Sequence, residues 1–481
     1  MTVSPSSSKR KWSWILARNI AAYWILGLCN NYGYVIMLSA AEDILDEQHG
    51  KTTNGTTKDD QCMEHIDNRH CSRLSTGAVL LADNIPCLVV QTLFPFFMDR
   101  FPFGARAFAV ILLQAASYFV VAYSNSIAMS LVGVCLSSLG QGIGEITFLA
   151  MSAHYPPSTV GAWSSGTGGA GLIGSFSYAL LTEPKMGNLS PKTTLLIQLF
   201  IPALYAVAYF LILTSAKTIY SPTFNPKTWI VPSGYYSKKD SSQREIISSL
   251  TDSKSRSSSD GGASNREVSS PITTVSEVAN LDSNDITRNS GSDGEYTEQR
   301  KLNLFQRLEL IVPLIPLMAP LAVVYFAEYM INQGLTELIF FNCAKGAHLT
   351  QASQYRWYQV LYQLGVFLSR SSIHLFELPL LVILFLPILQ LVNMVFFFFE
   401  AVYWFLPSIF IVFGLIVFEG LLGGMSYVNT YNHIHKKVEP DIREFSLSAA
   451  LMGNSLGINI AAFLAIPLHN WVCGMSVPSG R

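Results

Sequence analysis

The sequence predicts an all-α polytopic membrane protein of about eleven transmembrane helices in two halves. Three observations carry this. Half of the 481 residues are apolar and only 13% are charged, too few charges to cover a soluble surface of that size. The charged residues cluster at the N-terminus, in Glu42–Arg73 and in Lys217–Arg307, leaving long uncharged runs between. Polar, glycine-rich spans also recur in the same order on either side of the last cluster.

Apolar runs of about 18 residues or more are long enough to cross the hydrocarbon core. They place spans at Ala17–Ala41, Leu74–Met98, Phe103–Tyr123, Ile127–Met151, Val160–Leu181 and Thr193–Ser215. In the second half they fall at Leu310–Asn332, Ser353–Ser369, Leu375–Phe399, Phe405–Tyr427 and Phe445–Cys473. The eighth carries Gln354, Arg356, Gln359 and Gln363, and reads either as a polar span or as a re-entrant segment.

Lys9, Arg10, Lys11 and Arg18 flank the first span and predict a cytosolic N-terminus. Residues 1–16 form a cytosolic tail with no cleaved signal peptide expected. Residues 17–215 form a six-helix half. Its far-side loop, 42–73, carries the glycosylation sequon at Asn54. Residues 216–308 are rich in Ser, Thr, Asn, Asp and Gly and predict a disordered cytosolic linker. Residues 309–473 form a five-helix half, and 474–481 a luminal tail. Alternation puts the Asp99–Arg106 loop, Arg370 and a His433–Arg443 loop on the cytosolic side.

Spans six apart resemble one another. The fourth has Gly140-Gln141-Gly142-Ile143-Gly144-Glu145, and the tenth Glu419-Gly420-Leu421-Leu422-Gly423-Gly424. The fifth runs through five glycines from Gly166 to Gly174, and the eleventh has Gly453 and Gly457. The first has Asn30-Asn31-Tyr32, and the seventh Glu328-Tyr329 followed by Asn332-Gln333. Two parallel halves joined by a long cytosolic linker are the layout of major-facilitator-like transporters, which bind substrate between halves near the midplane.

Ionisable groups at lipid depth are costly and by default mark solute or proton paths. Asp83, Glu145, Glu328 and Glu419 are the candidate proton-coupling groups. Each reads otherwise as a structural hydrogen bond across helices, and Glu419 as packing beside its glycines. Tyr325, Glu328 and Asn332 share one helix face at i, i+3 and i+7 spacing. Arg356 either clamps an anionic group bidentately or snorkels to headgroups. Phosphate loops, zinc spacings and nucleophile elbows are not found, so no enzyme, metal or cofactor is expected. His433 and His435 read as solvated. The net charge of −1 suggests no nucleic-acid partner. Cys29, Cys87 and Cys135 read as packing residues. Cys62 and Cys71 share one polar loop and form either a disulfide or free thiols.

The runs Leu26-Gly27-Leu28-Cys29-Asn30-Asn31-Tyr32, Gly144-Glu145-Ile146-Thr147-Phe148-Leu149 and Trp163-Ser164-Ser165-Gly166-Thr167-Gly168-Gly169-Ala170-Gly171 resemble the battenin family. Tyr325-Phe326-Ala327-Glu328-Tyr329, Ile331-Asn332-Gln333-Gly334-Leu335, Gln354-Tyr355-Arg356-Trp357-Tyr358-Gln359 and Glu419-Gly420-Leu421-Leu422-Gly423-Gly424 extend the match. The resemblance implies a lysosomal and late-endosomal membrane protein. It implies a role in clearing glycerophosphodiesters, with effects on lysosomal pH and basic amino acids, and trafficking partners through the linker. For such a substrate Arg356 is the expected cation, with Asn30, Asn31, Tyr325, Asn332 and Gln333 as polar partners. The alternatives are a nucleoside-type carrier and a non-transporting scaffold acting on pH and trafficking.

Overall fold

In hydrocarbon there is no water for backbone polar groups to bond, so each apolar run closes its own hydrogen bonds as a helix. The computed structural model describes residues 5–39, 64, 66, 69, 76–182, 186–187, 189–216, 219–220, 230–231 and 302–476. The first half comprises α1 (Pro5–Ser39), α2 (Thr76–Leu93), α3 (Phe103–Ala122), α4 (Ile127–Ser152), α5 (Ser158–Thr182) and α6 (Pro191–Ile212). The second comprises α7 (Leu304–Leu338), α8 (Gln351–Ser371), α9 (Leu380–Tyr403), α10 (Ile409–Lys437) and α11 (Arg443–Cys473). Every expected span has its helix. Among the described residues, seven helices (α3, α4, α6, α7, α9, α10 and α11) are long and apolar enough to cross a membrane on composition alone. The other four are shorter or more polar. Residues 1–231 and 299–481 form one compact unit, so the two halves pack directly on each other.

Polarity runs from inside to outside in the reverse of a soluble protein. Leu381, Val392 and Phe410 are largely exposed, while Asn30, Gln114, Ser138, Thr147 and Gln390 are buried. Exposed apolar side chains suit lipid, and buried polar ones find partners on neighbouring helices.

Glycine sets the closest crossings, and sets them twice. A Cβ on Gly27 of α1 would stand 3.2 Å from the Thr167 backbone nitrogen of α5. A Cβ on Gly457 of α11 would stand 3.1 Å from the Phe326 nitrogen of α7. Gly142 of α4 meets Cys87 of α2, and Gly420 of α10 meets Val366 of α8, at 3.2 and 2.9 Å. The pairs α1:α5 and α7:α11, and α2:α4 and α8:α10, are thus equivalent positions of the two halves. The repeat seen in the sequence is a repeat of backbone contacts.

Several boundaries differ from expectation. The eighth span is a full helix of 21 residues, capped by Thr350, whose side chain accepts from the Ser353 nitrogen. Residues 302–308, assigned above to the linker, open the second half. Asn303 and Gln306 form a capping box, and the buried Arg307 donates to the Pro95 carbonyl at 2.6 Å. α10 continues to Lys437, so His435 is buried in a helix instead of solvated, with Nε2 3.3 Å from the Ser152 carbonyl oxygen of α4. α7 passes through a π-helical segment, Met330–Leu335, where the sequence suggested a stop. Cys29, Cys87 and Cys135 are free, whereas Cys343 and Cys473 are disulfide-bonded. Cys62, Cys71 and Asn54 lie outside the described residues.

Candidate substrate cavity

The seam between the halves holds a small cavity of about 50 Å³, lined from α1, α2, α4, α5, α7, α8, α10 and α11. Its walls are mostly polar, which in a helical bundle at lipid depth marks a water-accessible space.

α8 supplies the cation. Gln363, Val366 and Arg370 line the cavity at i, i+3 and i+7, the spacing of one helix face. Arg370 donates from Nη1 to Thr167 Oγ1 of α5 at 2.6 Å and from Nη2 to the Tyr325 hydroxyl of α7 at 2.9 Å. Its guanidinium lies 4.2 Å from the ring centre of Tyr427, a cation–π geometry. Its Nε has no hydrogen-bond partner. The fork is therefore held on three sides, with Nε the one nitrogen that has no partner.

α4 supplies an acid. The Glu145 carboxylate accepts from the Tyr427 hydroxyl of α10 at 3.0 Å and from Gln91 Nε2 of α2 at 3.2 Å. Gln91 accepts in turn from Ser455 of α11. One turn earlier on α4, Gln141 Nε2 donates to Asn31 Oδ1 at 3.1 Å, leaving Asn31 Nδ2 and Gln141 Oε1 without partners. The cavity thus offers a guanidinium, a carboxyl, several hydroxyls and two half-used amides.

Each end of the cavity is bridged between halves. On the far side, away from the start of α1, the Tyr34 hydroxyl of α1 donates to the Tyr329 hydroxyl of α7 at 2.7 Å. On the near side Ser152 of α4 meets His435 of α10. There His154 also lies 3.5 Å from Glu444, and the Phe96 and Phe445 rings stand 6.0 Å apart.

Of the residues singled out from the sequence, Asn31, Tyr325 and Glu145 line the cavity. Asn30 does not. Both ends of its amide are used, donating to the Gln141 carbonyl and accepting from Tyr205. Gln333 is buried and accepts from Tyr355. Asn332 is buried between Glu328 and Glu419. Asp83, Glu328 and Glu419 are all at most 1% exposed and stand off the cavity wall. Arg356 is half-buried at the other end of α8, about 21 Å along the helix from Arg370. Arg370, in the last turn of α8, is the cation of the cavity. Gln91, Thr167, Tyr362, Tyr427 and Ser455 were not singled out either. The face spacing of Gln363 and Arg370 on α8 was the available signal.

Two halves of repeated helix pairs around a polar central cavity define the class: a polytopic membrane protein with the major-facilitator transporter fold. The human organic anion transporter MFSD10 (TETRAN) shares this fold, with a TM-score of 0.55 at 12% identity over 95% of this chain and 94% of that one. The chain belongs to the battenin family: the family model described as CLN3 protein matches residues 21–475. It is 39% identical to Battenin of Canis lupus familiaris over 96% of this chain and 92% of the relative. It is 36% identical to Protein btn-1 of Neurospora crassa, covering 96% and 89%, and 33% identical to Protein btn1 of Aspergillus fumigatus, covering 96% and 90%.

Proposed function

We propose that this protein exports glycerophosphodiesters, the deacylated remains of phospholipids, from lysosomes and late endosomes. The observation that carries the reading is Arg370, a half-buried guanidinium held in the cavity wall with its Nε unpaired. A glycerophosphodiester carries one negative phosphate and several hydroxyls. The phosphate suits the Arg370 fork. The hydroxyls suit Asn31 Nδ2 and Gln141 Oε1, which lack partners. Nucleosides carry no such charge and would give the half-buried guanidinium no anion to bind.

Alternating access needs two gates that open in turn. Tyr34–Tyr329 and Ser152–His435 are those gates in this reading, both closed in an occluded state. Glu145, joined to the cation through Tyr427, is the acid placed to exchange a proton as substrate binds. Cys343 and Cys473, disulfide-bonded beyond α7 and at the end of α11, fall on the far side, which suits an oxidising lumen and a cytosolic N-terminus; the Asn54 sequon is expected on that side from the sequence alone.

Labelled glycerophosphocholine uptake into proteoliposomes holding the full chain tests this. Flux that nucleosides do not compete with supports the reading. Absence of flux for glycerophosphodiesters, with intact folded protein, sinks it.

A further inference from the structure

A second polar cluster lies inside the C-terminal half, off the cavity. The Glu328 carboxyl packs against α10 at Gly423, where a built Cβ would stand 2.6 Å from its carboxyl carbon. Glu419 is one turn earlier on α10, on the same face. Asn332 Nδ2 joins the two, donating to Glu419 Oε1 at 2.7 Å and to the Glu328 carbonyl at 3.2 Å. Gln390 of α9 reaches the Glu419 backbone oxygen at 3.5 Å.

What these four side chains have in common is an orphan oxygen. Glu328 Oε2, Asn332 Oδ1, Gln390 Oε1 and Glu419 Oε2 are buried without a hydrogen-bond partner, in residues no more than 2% exposed. A buried acceptor left unpaired is costly, and four together in hydrocarbon more so. Every orphan is a hard oxygen acceptor, and what such a group lacks is a proton or a cation. Asn332 also sits in the π-helical segment of α7. Irregular helices at membrane depth expose backbone oxygens of the kind that hold alkali cations in transporters.

We propose that Glu328, Asn332, Gln390 and Glu419 bind one dehydrated monovalent cation of the sodium class. Divalent hard cations take about six to eight oxygens or retain water, more than the four orphan oxygens supply. The site reports to the cavity through one residue. Tyr362 lines the cavity and donates to Glu328 Oε1. Cation binding would draw the Glu328 carboxyl toward α10 and shift Tyr362 in the cavity wall. That coupling rests on the transport reading; the binding itself does not.

The test is thermal unfolding of the full-length purified protein without substrate, at fixed ionic strength and pH. Sodium is titrated against choline, and calcium is tried separately. The expected result is a saturable rise in the unfolding midpoint with sodium that choline does not produce. Glu419→Gln should abolish it. Gln390→Met should weaken the apparent affinity on the order of tenfold or more. Gly414→Ala, whose methyl would meet nothing within 4 Å, should keep it. An equal response to choline, a response to calcium but not sodium, stabilisation by acid alone, or an undiminished response in Glu419→Gln would each overturn the proposal. If Glu419→Gln does not fold, the wild-type ion series and Gln390→Met still decide. Loss of glycerophosphodiester flux with the sodium response intact would sink the transport reading alone.

Discussion

Tyr427 on α10 touches an acid and a base at once: its hydroxyl donates to Glu145 of α4 at 3.0 Å, and its ring lies 4.2 Å from the Arg370 guanidinium of α8. One side chain thereby ties the N-terminal half to the cation of the C-terminal half. In the proposed reading, movement of a substrate phosphate against Arg370 would be felt at Glu145 through a rigid phenol. Tyr427→Phe keeps the ring and removes the donor. The expected outcome is lower maximal flux with a shifted pH profile and little change in KM. Uptake measured across a pH series checks this, and an unchanged profile would count against the linkage.

Arg370→Gln removes the charge, shortens the side chain and leaves two N–H donors in place of five. A hydrogen bond to a charged partner contributes about 1.5–3 kcal/mol, so apparent affinity for a phosphodiester should fall roughly 10- to 100-fold. Arg370→Lys should recover little, because a lysine cannot hold Thr167, Tyr325 and a phosphate in one planar fork. Uptake KM for the two variants decides between charge alone and geometry.

The far-side bridge is a single hydroxyl pair. Tyr34→Phe removes one hydrogen bond worth about 1 kcal/mol and should shift the balance of closed and open forms roughly fivefold toward far-side opening. A cysteine introduced at Asn31 would report it as faster labelling from the far side. Equal labelling in the two backgrounds would show that Tyr34 and Tyr329 do not gate.

Close helix crossings make glycine-to-valine changes severe where backbone is the neighbour. Gly27→Val and Gly457→Val should each destabilise by about 1–3 kcal/mol through overpacking. Gly414→Ala should be neutral or slightly stabilising, since alanine favours helix by up to about 1 kcal/mol. Unfolding midpoints in detergent compare the three directly.

Cys343 and Cys473 are each in a disulfide, and losing a native disulfide typically costs about 2–5 kcal/mol. Cys473→Ser should lower the unfolding midpoint and change mobility on a non-reducing gel. Cys29→Ser, at a free buried thiol, should leave mobility unchanged.

Eleven spans, their order and the repeat were legible in the sequence because the bilayer imposes a simple rule: long uncharged runs must be helices, and glycine must stand where backbones meet. Glu145 and Asn31 were legible as cavity residues because polar groups at lipid depth need a reason. The cation was not. Arg356 and Arg370 both lie on α8, and a linear reading assigns one to the span and the other to its end. Only the packing of α8 against α5, α7 and α10 places Arg370 in the cavity and leaves Arg356 at the far rim. The same holds for Asn30, whose amide is spent on Gln141 and Tyr205, and for Glu328, which turns away from the cavity to meet α10. Which helices exist is a local matter of chain against lipid. Which polar side chain faces solute depends on how each helix is rotated about its axis, and that is fixed by its neighbours.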